Sequence, residues 1–247
     1  MQITFLGTNG WYDSPTGNTL CILITTKQYN IILDAGSGLA YADQYLDQGK
    51  QSFIFLSHFH LDHIIGLHTL EKFRFIDPLI FLTRDGSTGT LRSFVDKPFT
   101  APLDTLSFKT KIMELPLQQD ELPFPAKVLD MLHADPTIGI RLTLEGKTLA
   151  YCPDTGYCQK CVELAMNADL FIADCAFLPG EASKTWPHLN PETAAKIAQE
   201  SKAKRLMLTH FDAARYVTLG DREKALATAR LTFPETHIST DGRQVEL

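Results

Sequence analysis

The sequence predicts a single α/β domain spanning residues 1–247. Of its 247 residues, 44% are hydrophobic and 21% charged, which is an ordinary globular composition at a length that single α/β folds reach. Apolar runs with aromatic and β-branched members, such as 53–56 and 170–173, are typical of buried strands. Segments such as 39–46 and 64–73 show helical spacing of apolar residues. Strands that alternate with helices indicate the α/β class.

The charge balance argues against a general nucleic-acid-binding surface. The chain has 23 basic and 29 acidic residues, a net charge of −6, and no long basic run. Its opening residues, 1–7, predict a strand without a charged leader, and no apolar run reaches the length of a membrane span. Five cysteines, an odd number, exclude a complete disulfide framework and favour reduced thiols. We therefore expect a cytoplasmic protein without a membrane partner.

The strands near the N-terminus predict a supporting aspartate. A glycine-rich turn follows the first strand, and two further strands are predicted near 19–25 and 30–33. The second of these ends at Asp34, which two nearby glycines follow. Such an aspartate is either a plain turn cap or a residue close to a functional site. Because its strand is predicted to lie beside 53–56, we expect Asp34 to orient the loop after that strand by hydrogen bonds.

That loop is the most informative stretch of the chain. His58, His60, Asp62 and His63 follow the buried strand within six positions. The first three alternate, so in an extended segment they point to one side, whereas His63 enters a helix predicted to begin at the next residue. Imidazole nitrogens and carboxylate oxygens suit zinc, and also manganese or iron. The spacing therefore predicts one metal ion or two adjacent ones.

Residues 78–125 give weaker signals. Prolines mixed with phenylalanines predict short elements and loops, which either roof a pocket or belong to the scaffold. No repeat or linker divides the chain.

In the second half, four predicted strands are each followed by a side chain that suits metal or proton chemistry. The strands are predicted near 128–132, 148–152, 170–173 and 206–208. The residues at their ends are His133, Asp154, Asp174 and His210. Asn190 and Pro191 mark the start of a helix just after His188.

The cysteines of the second half allow three interpretations. Cys158 and Cys161 are spaced as C-x-x-C, with Cys152 and Cys175 nearby, which suits a structural zinc site or a redox pair. Small apolar residues one turn apart on a helix are the interpretation that we prefer.

Five histidines and two aspartates thus fall at or just after apolar strands, which is too many ligands for one tetrahedral metal. They suit two metals about 3.5 to 4 Å apart with a bridging carboxylate. The pattern H-x-H-x-D-H after a strand, with His, Asp and His downstream, resembles the signature of the metallo-β-lactamase fold superfamily. The resemblance implies a four-layer αββα sandwich of two mixed β-sheets flanked by helices. It implies these ligands: His58, His60 and His133 for the first metal, Asp62, His63 and His210 for the second, and Asp154 as the bridge. Two divalent ions are expected, with Zn²⁺ favoured over Mn²⁺ or Fe²⁺.

Several further segments resemble the tRNase Z and related phosphodiesterase branch of that superfamily. They are residues 1–8, 171–174, 187–198 and 209–216. In this branch an acidic residue and a non-ligand histidine before an alanine-rich helix form a proton relay. The resemblance therefore implies that Asp174 orients His188. The predicted catalytic residues are His188, Asp174 and Asp62.

Two departures from the branch favour a small substrate. Residues 15–18 contain no basic residue where tRNA-processing members carry a P-x-K-x-R-N motif, and no basic arm is present. Asp174 is one methylene shorter than the usual glutamate. We predict a dinuclear hydrolase of a small phosphodiester, such as a cyclic nucleotide, in which a metal-bridging hydroxide attacks and His188 is the general acid. A tRNA 3′-processing endoribonuclease is the alternative, and a glyoxalase-like thioesterase a further one. A homodimer is compatible with each.

Overall fold

The computed structural model describes residues 1–247 and contains fifteen β-strands. The strands are β1 (Gln2–Gly7), β2 (Asn9–Gly10), β3 (Cys21–Thr25), β4 (Tyr29–Leu33), β5 (Gln51–Phe55), β6 (Leu79–Arg84), β7 (Thr110–Leu115), β8 (Ala126–Asp130), β9 (Ile138–Leu144), β10 (Lys147–Cys152), β11 (Leu170–Asp174), β12 (Leu206–Thr209), β13 (Phe211–Asp212), β14 (Thr236–Ile238) and β15 (Gln244–Glu246).

Five α-helices and four 3₁₀ helices connect these strands. The α-helices are α1 (Leu61–Ile64), α2 (Thr88–Phe94), α3 (Gln159–Ala165), α4 (Pro191–Glu200) and α5 (Leu219–Arg230). The 3₁₀ helices are Ser37–Gln44, Ile65–Lys72, Leu103–Thr105 and Gln119–Glu121. None of the helices has both the length and the apolar character that crossing a membrane requires.

Two mixed sheets form the centre of the fold. The first has the strand order β15-β1-β3-β4-β5-β6-β7, and the second has the order β14-β12-β11-β10-β9-β8. In each sheet one half is antiparallel and the other, β4 to β7 or β10 to β14, is parallel. A two-stranded pair, β2 with β13, lies apart from both.

The molecule has four layers of secondary structure, and three buried apolar clusters fill the spaces between them. One cluster joins the two sheets, and in it the rings of Phe55 and Tyr151 meet edge to face. A second packs the 3₁₀ helices, through residues such as Leu67, on the first sheet. A third packs α3, α4 and α5 on the second sheet, with Phe171 and Ala194 among its members. The arrangement confirms the α/β class and the sandwich that the resemblance implied. Full burial of each large apolar side chain contributes about 1.5–3 kcal/mol to this packing.

The parallel strands carry polar residues to one edge of the sandwich. Asp34 follows β4, and His58 lies in the loop that follows the adjacent strand β5. In the second sheet Asp154 follows β10, Asp174 ends β11 and His210 follows β12, and these three strands are parallel neighbours. Because parallel neighbours end at the same edge, residues far apart in the chain meet there.

The two predicted helices on the first sheet are 3₁₀ helices instead of α-helices. Ile64, Leu67, Leu70 and Phe73 are all buried and recur every three residues, the repeat of a 3₁₀ helix. A spacing of three is compatible with both helix types, so the sequence pattern placed the segment correctly and left its type open. His63 lies within α1, which begins at Leu61, three residues earlier than predicted.

The start of α4 confirms the capping prediction. Asn190 is the N-cap, its side chain accepts a hydrogen bond from Thr193 N–H at 2.9 Å, and Thr193 Oγ1 accepts one from the Asn190 backbone. Pro191 occupies the first helical position. This reciprocal cap contributes about 1 kcal/mol and fixes the segment that carries His188.

Residues 78–125 belong to the scaffold. They supply β6 and β7, which extend the parallel half of the first sheet, together with short helices. The pocket beside the histidines contains no residue from this segment. One strand was not predicted from the sequence: β15 pairs antiparallel with β1 and follows the turn at Asp241 and Gly242.

Candidate metal centre

The seven predicted ligands converge at the edge of the sandwich in two groups. Within each group, one potential ligand atom per residue lies within 4.8 Å of the others. The first group consists of His58, His60, His133 and Asp154. The second group consists of Asp62, His63 and His210. These groups have the composition that the resemblance implied.

Asp154 lies between the two groups. Its Oδ1 is 3.0 Å from His63 Nε2 and 3.2 Å from His210 Nε2. Its Oδ2 is 3.7 Å from His58 Nε2 and 3.8 Å from His133 Nε2. One carboxylate thus turns a different oxygen to each group.

Several buried polar atoms of the two ligand groups lack hydrogen-bond partners. Nε2 of His58, Nε2 of His133 and Oδ1 of Asp154 are buried and make no hydrogen bond. Nε2 of His63 and Nε2 of His210 face each other at 3.2 Å. Buried polar atoms without partners are costly, so converging lone pairs on imidazole and carboxylate fit bound divalent cations. These residues could therefore hold metal.

Two fully buried carboxylates contact the Nδ1 atoms of the histidines in the second group. Asp34 Oδ2 lies 2.8 Å from His63 Nδ1 and also accepts hydrogen bonds from Ser57 Oγ and from the Tyr151 hydroxyl, at 2.8 and 2.6 Å. This confirms the predicted orienting role of Asp34. Engaging Nδ1 leaves Nε2 of His63 for a metal ion.

Asp174 is the second of these carboxylates, and it contacts two histidines. Its Oδ2 lies 2.9 Å from His188 Nδ1, and its Oδ1 lies 3.1 Å from His210 Nδ1. The backbone N–H groups of Leu189 and Ala176 also donate to it, at 3.0 and 3.1 Å. The partner predicted for His188 is therefore in place. The contact with His210 was missed, although the register of β11 against β12 pairs Asp174 with the residue before His210.

The first group is supported by weaker partners. His58 Nδ1 lies 3.0 Å from Ser57 Oγ, and His133 Nδ1 lies 3.3 Å from the carbonyl of Pro187. His60 Nε2 lies 2.7 Å from Oδ2 of Asp135, whose side chain is 58% exposed. Sequence reasoning missed Asp135, and its position two residues after His133 was the only signal for it.

The electrostatic environment differs between the groups. Burial lowers the pKa of His58 well below its usual range, and neighbouring His63 lowers it further. Burial also lowers the pKa of His133. For His210, burial opposes the charged form, but Asp154, Asp174 and Asp62 outweigh it and raise the pKa to about 10. His58 and His133 therefore favour the neutral imidazole, whereas His210 favours the charged form, whose proton a cation would have to displace.

His188 is an eighth polar residue at the centre. Its side chain is almost fully buried, and one of its ring nitrogens lies within 4.8 Å of ligand atoms of Asp154 and His210. Burial opposes its charged form, but the carboxylate and hydrogen bond of Asp174 dominate and raise the pKa of His188. Because Nδ1 is engaged by Asp174, Nε2 is the atom left for other partners.

The cysteines of the second half belong to, or pack against, the apolar cluster on the second sheet. Cys158 precedes α3 and Cys161 is buried within it, with their sulfurs 3.3 Å apart. Cys175 instead contacts the Tyr216 hydroxyl, and no three cysteine sulfurs lie close enough together to hold an ion. A hydrogen bond to Cys161 and burial raise the pKa of Cys158, so the group remains a thiol. Cys161 is buried in the apolar cluster on the second sheet and Cys158 packs against that cluster, as the packing interpretation predicts.

This fold and this donor set define a metal-dependent hydrolase of the metallo-β-lactamase type. Residues 29–211 match the family described as beta-lactamase superfamily domain, and the chain belongs to that family.

Named relatives come from several organisms. The chain is 27% identical to the probable metallo-hydrolase YhfI of Bacillus subtilis, over 85% of this chain and 87% of the relative. It is also 27% identical to the ribonuclease Z of Saccharolobus solfataricus, over 98% of this chain and 97% of the relative. Among solved structures, YhfI of Bacillus subtilis matches with a TM-score of 0.83 and 23% identity over 99% of both chains. The short form of human tRNase Z matches with a TM-score of 0.77 and 23% identity over 100% of this chain and 99% of that one.

Proposed function

We propose that this hydrolase cleaves small phosphodiesters at a centre of two divalent cations, with zinc favoured over manganese or iron, and that His188 is the general acid. The carrying observation is His188 itself. It lies beside the ligands Asp154 and His210, and its Nδ1 is engaged by a buried carboxylate. The thiolate of a thioester leaves without a proton, whereas a poor alkoxide leaving group needs one.

Each side chain has a definite task in this proposal. Bound divalent cations would polarise the phosphoryl group, lower the pKa of a water molecule between them and stabilise developing negative charge. Asp62, whose Oδ2 accepts a hydrogen bond from Trp11 N–H, would hold its cation and accept a hydrogen bond from the attacking water. Asp174 would keep Nδ1 of His188 protonated and direct Nε2 to the leaving oxygen. The raised pKa of His188 supports a proton at Nε2 near neutral pH.

A comparison of substrates tests the reaction class. Zinc-loaded protein should hydrolyse bis-p-nitrophenyl phosphate, and a small cyclic nucleotide should be a substrate. A chromogenic lactam and a glutathione thioester should react much more slowly. Faster turnover of the thioester would replace this proposal with the glyoxalase-like alternative.

A leaving-group comparison tests the role of His188. The variant His188→Ala should keep its metal and its fold, yet lose about 10²- to 10⁴-fold in kcat on an alkyl leaving group. The loss should be much smaller on p-nitrophenolate, which departs without a proton. His68→Ala is the matched control, because His68 is an exposed histidine that belongs to neither ligand group. Equal losses on both leaving groups, or loss of metal, would show that His188 binds substrate or metal instead.

tRNA 3′ processing is the second candidate, favoured by the ribonuclease Z relative that covers 98% of this chain. The net charge of −6 and the segment 15–18 weigh against it. Asn18 N–H donates to Asp241 and Gly17 pairs with Ser14, so this segment is bonded into the fold. Pre-tRNA should therefore bind weakly and with little salt dependence. Efficient cleavage that falls steeply with salt would make this candidate the better one.

The compartment and the assembly stay predictions. The odd number of cysteines supports a cytoplasmic location. A homodimer, a small phosphodiester as ligand, and the absence of a membrane or nucleic-acid partner are likewise proposed.

A further inference from the structure

The chain has only two tryptophans, and both lie at the mouth of the pocket beside the metal ligands. Trp11 is 63% exposed and Trp186 is 37% exposed. Their ring centroids are 6.3 Å apart, with an angle of 69° between the planes. Neither ring belongs to the apolar core clusters. Two large aromatic rings kept together outside the core suggest a surface that contacts a ligand.

The backbone of Trp11 is tied to the centre. Its φ is +75°, in the left-handed region that bulky residues rarely adopt. Its N–H donates to Oδ2 of Asp62 at 2.7 Å, so a hydrogen bond to a candidate metal ligand stabilises this conformation. The preceding Gly10 lies against the ring of His210, since an added Cβ would be 2.6 Å from its Cε1. The position of Trp11 is therefore set by the same residues that form the centre.

Trp186 contacts two histidines of the first ligand group. Its ring stacks on His60 with the centroids 5.5 Å apart and 9° between the planes. It also meets the ring of His133 edge to face at 5.4 Å. The indole is thereby placed next to the first ligand group without offering a ligand atom itself.

A cavity of about 640 Å³ adjoins the two rings, a volume in the range of sites for drug-sized ligands. Its other walls include Phe177, Glu181, Asp212 and Arg215. Trp11, Trp186 and Asp212 also line the pocket that contains Asp62, Asp154 and His188, so the cavity adjoins the centre.

The charges of the cavity select against a second phosphate. Its only cation, Arg215, is paired with Asp212 and lies 3.0 Å from Glu181 Oε2. No free positive charge remains for another phosphate group, whereas aromatic faces suit an uncharged planar group. Bases stack on aromatic side chains in this way in many nucleotide-binding sites.

We propose that Trp11 and Trp186 form a subsite for the nucleobase of a nucleotide phosphodiester, whose phosphate lies at the metal centre. Because the rings are inclined by 69°, a base stacked on one indole meets the edge of the other. The proposal rests on the proposed function and specifies its substrate class as nucleotides. Truncating a stacked aromatic side chain weakens base binding by about 5- to 150-fold.

Binding of a reaction product tests the subsite without turnover. Adenosine 5′-monophosphate is the probe and ribose 5-phosphate the control without a base, each titrated into metal-loaded protein by calorimetry and by tryptophan fluorescence. Because both tryptophans lie at the subsite, the base should quench the fluorescence. Adenosine 5′-monophosphate should bind at least about tenfold more tightly than ribose 5-phosphate.

Variants separate stacking from support of the centre. Trp186→Ala and Trp11→Ala should each lose about 5- to 150-fold in affinity for adenosine 5′-monophosphate and keep their affinity for ribose 5-phosphate. Trp186→Phe should restore part of the loss. Phe99→Ala, which removes an aromatic ring that is 72% exposed and outside both cavities, should change neither affinity.

Three results would overturn the subsite: equal affinity for the two probes, equal loss of both affinities in the tryptophan variants, or no binding of either probe. These outcomes are distinct from failure of the proposed function. Hydrolysis of phosphodiesters with equal binding of the two probes would refute the subsite alone. Tryptophan-dependent binding of the nucleotide without phosphodiester hydrolysis would refute the proposed function alone.

Discussion

The two ligand groups at the edge of the sandwich contain similar side chains but differ in what lies behind them. In the second group, His63 contacts Asp34 and His210 contacts Asp174, and both carboxylates are fully buried. In the first group, the partners are a hydroxyl, a backbone carbonyl and the exposed carboxylate of Asp135. A buried carboxylate fixes the tautomer of a histidine and makes it a more basic ligand, and the low local dielectric strengthens the effect. We therefore expect the second group to hold its cation more tightly.

The second group is also joined to more of the core. Asp34 links Ser57, which follows a strand of the first sheet, to Tyr151 in the second sheet. Stepwise removal of metal by a chelator should accordingly empty the first group before the second.

The largest effect should come from the residue that the two groups share. The variant Asp154→Ala should lower the metal content from about two ions per chain to fewer than one, since its two oxygens face different groups. Hydrolysis should fall by at least about 10³-fold, because several kcal/mol of charge stabilisation depend on the cations. Elemental analysis and kcat/KM measure both quantities.

Asp104→Ala, which removes an exposed carboxylate remote from the centre, is the matched control. One ion per chain in the unmodified protein, unchanged by Asp154→Ala, would rule out a shared dinuclear centre.

The next effect concerns Asp174, which supports the second group and His188 together. The variant Asp174→Asn should weaken metal binding by the second group by about 10- to 100-fold and should also slow the release of poor leaving groups. His188→Ala should show only the leaving-group effect. Metal titration and paired assays on alkyl and p-nitrophenyl esters separate the two contributions. If Asp174→Asn bound metal normally, Asp174 would have only the role predicted from the sequence, which is to orient His188.

A change at Asp34 tests the support of the second group separately from His188, because His63 is the only ligand that Asp34 contacts directly. Asp34→Asn should weaken metal binding by the second group by about 10- to 100-fold, and metal binding by the first group less, because Asp34 reaches His58 only through Ser57. It should also lower the free energy of unfolding by about 1–3 kcal/mol, because the amide cannot accept all the buried hydrogen bonds. Competitive titration with a metal indicator and thermal unfolding measure these changes. Equal weakening of both groups would show that the two are not independent.

The smallest effect should follow a change at Asp135. Its carboxylate is 58% exposed, so water and salt screen its contact with His60. Asp135→Asn should weaken metal binding by the first group by less than about tenfold, and by less still in 1 M salt. The same metal titration measures this change. If Asp135→Asn weakened metal binding as much as Asp34→Asn, burial of the supporting carboxylate would not explain the difference in metal affinity between the groups.

Local sequence patterns determined much of the fold and most of the candidate centre. Strand periodicity placed β5 and β12, and with them the loops that carry His58 and His210. Capping chemistry placed the start of α4 at Pro191. These signals act over a few residues, through backbone hydrogen bonds and the period of side-chain burial, so one sequence reveals them. The residue types in the loops then restricted the chemistry to metal binding.

The tertiary structure alone decided which distant residues touch. The contact between Asp174 and His210 depends on the register of two parallel strands, and that between Trp11 and Asp62 on where a turn meets a loop 51 residues away. The pairing of β15 with β1 likewise joins the two ends of the chain. Such contacts are set by how sheets and layers pack into one core, and no periodicity within a segment encodes that packing. The sequence by itself therefore determined which side chains could serve as ligands, whereas the packed core decided which carboxylate supports each of them.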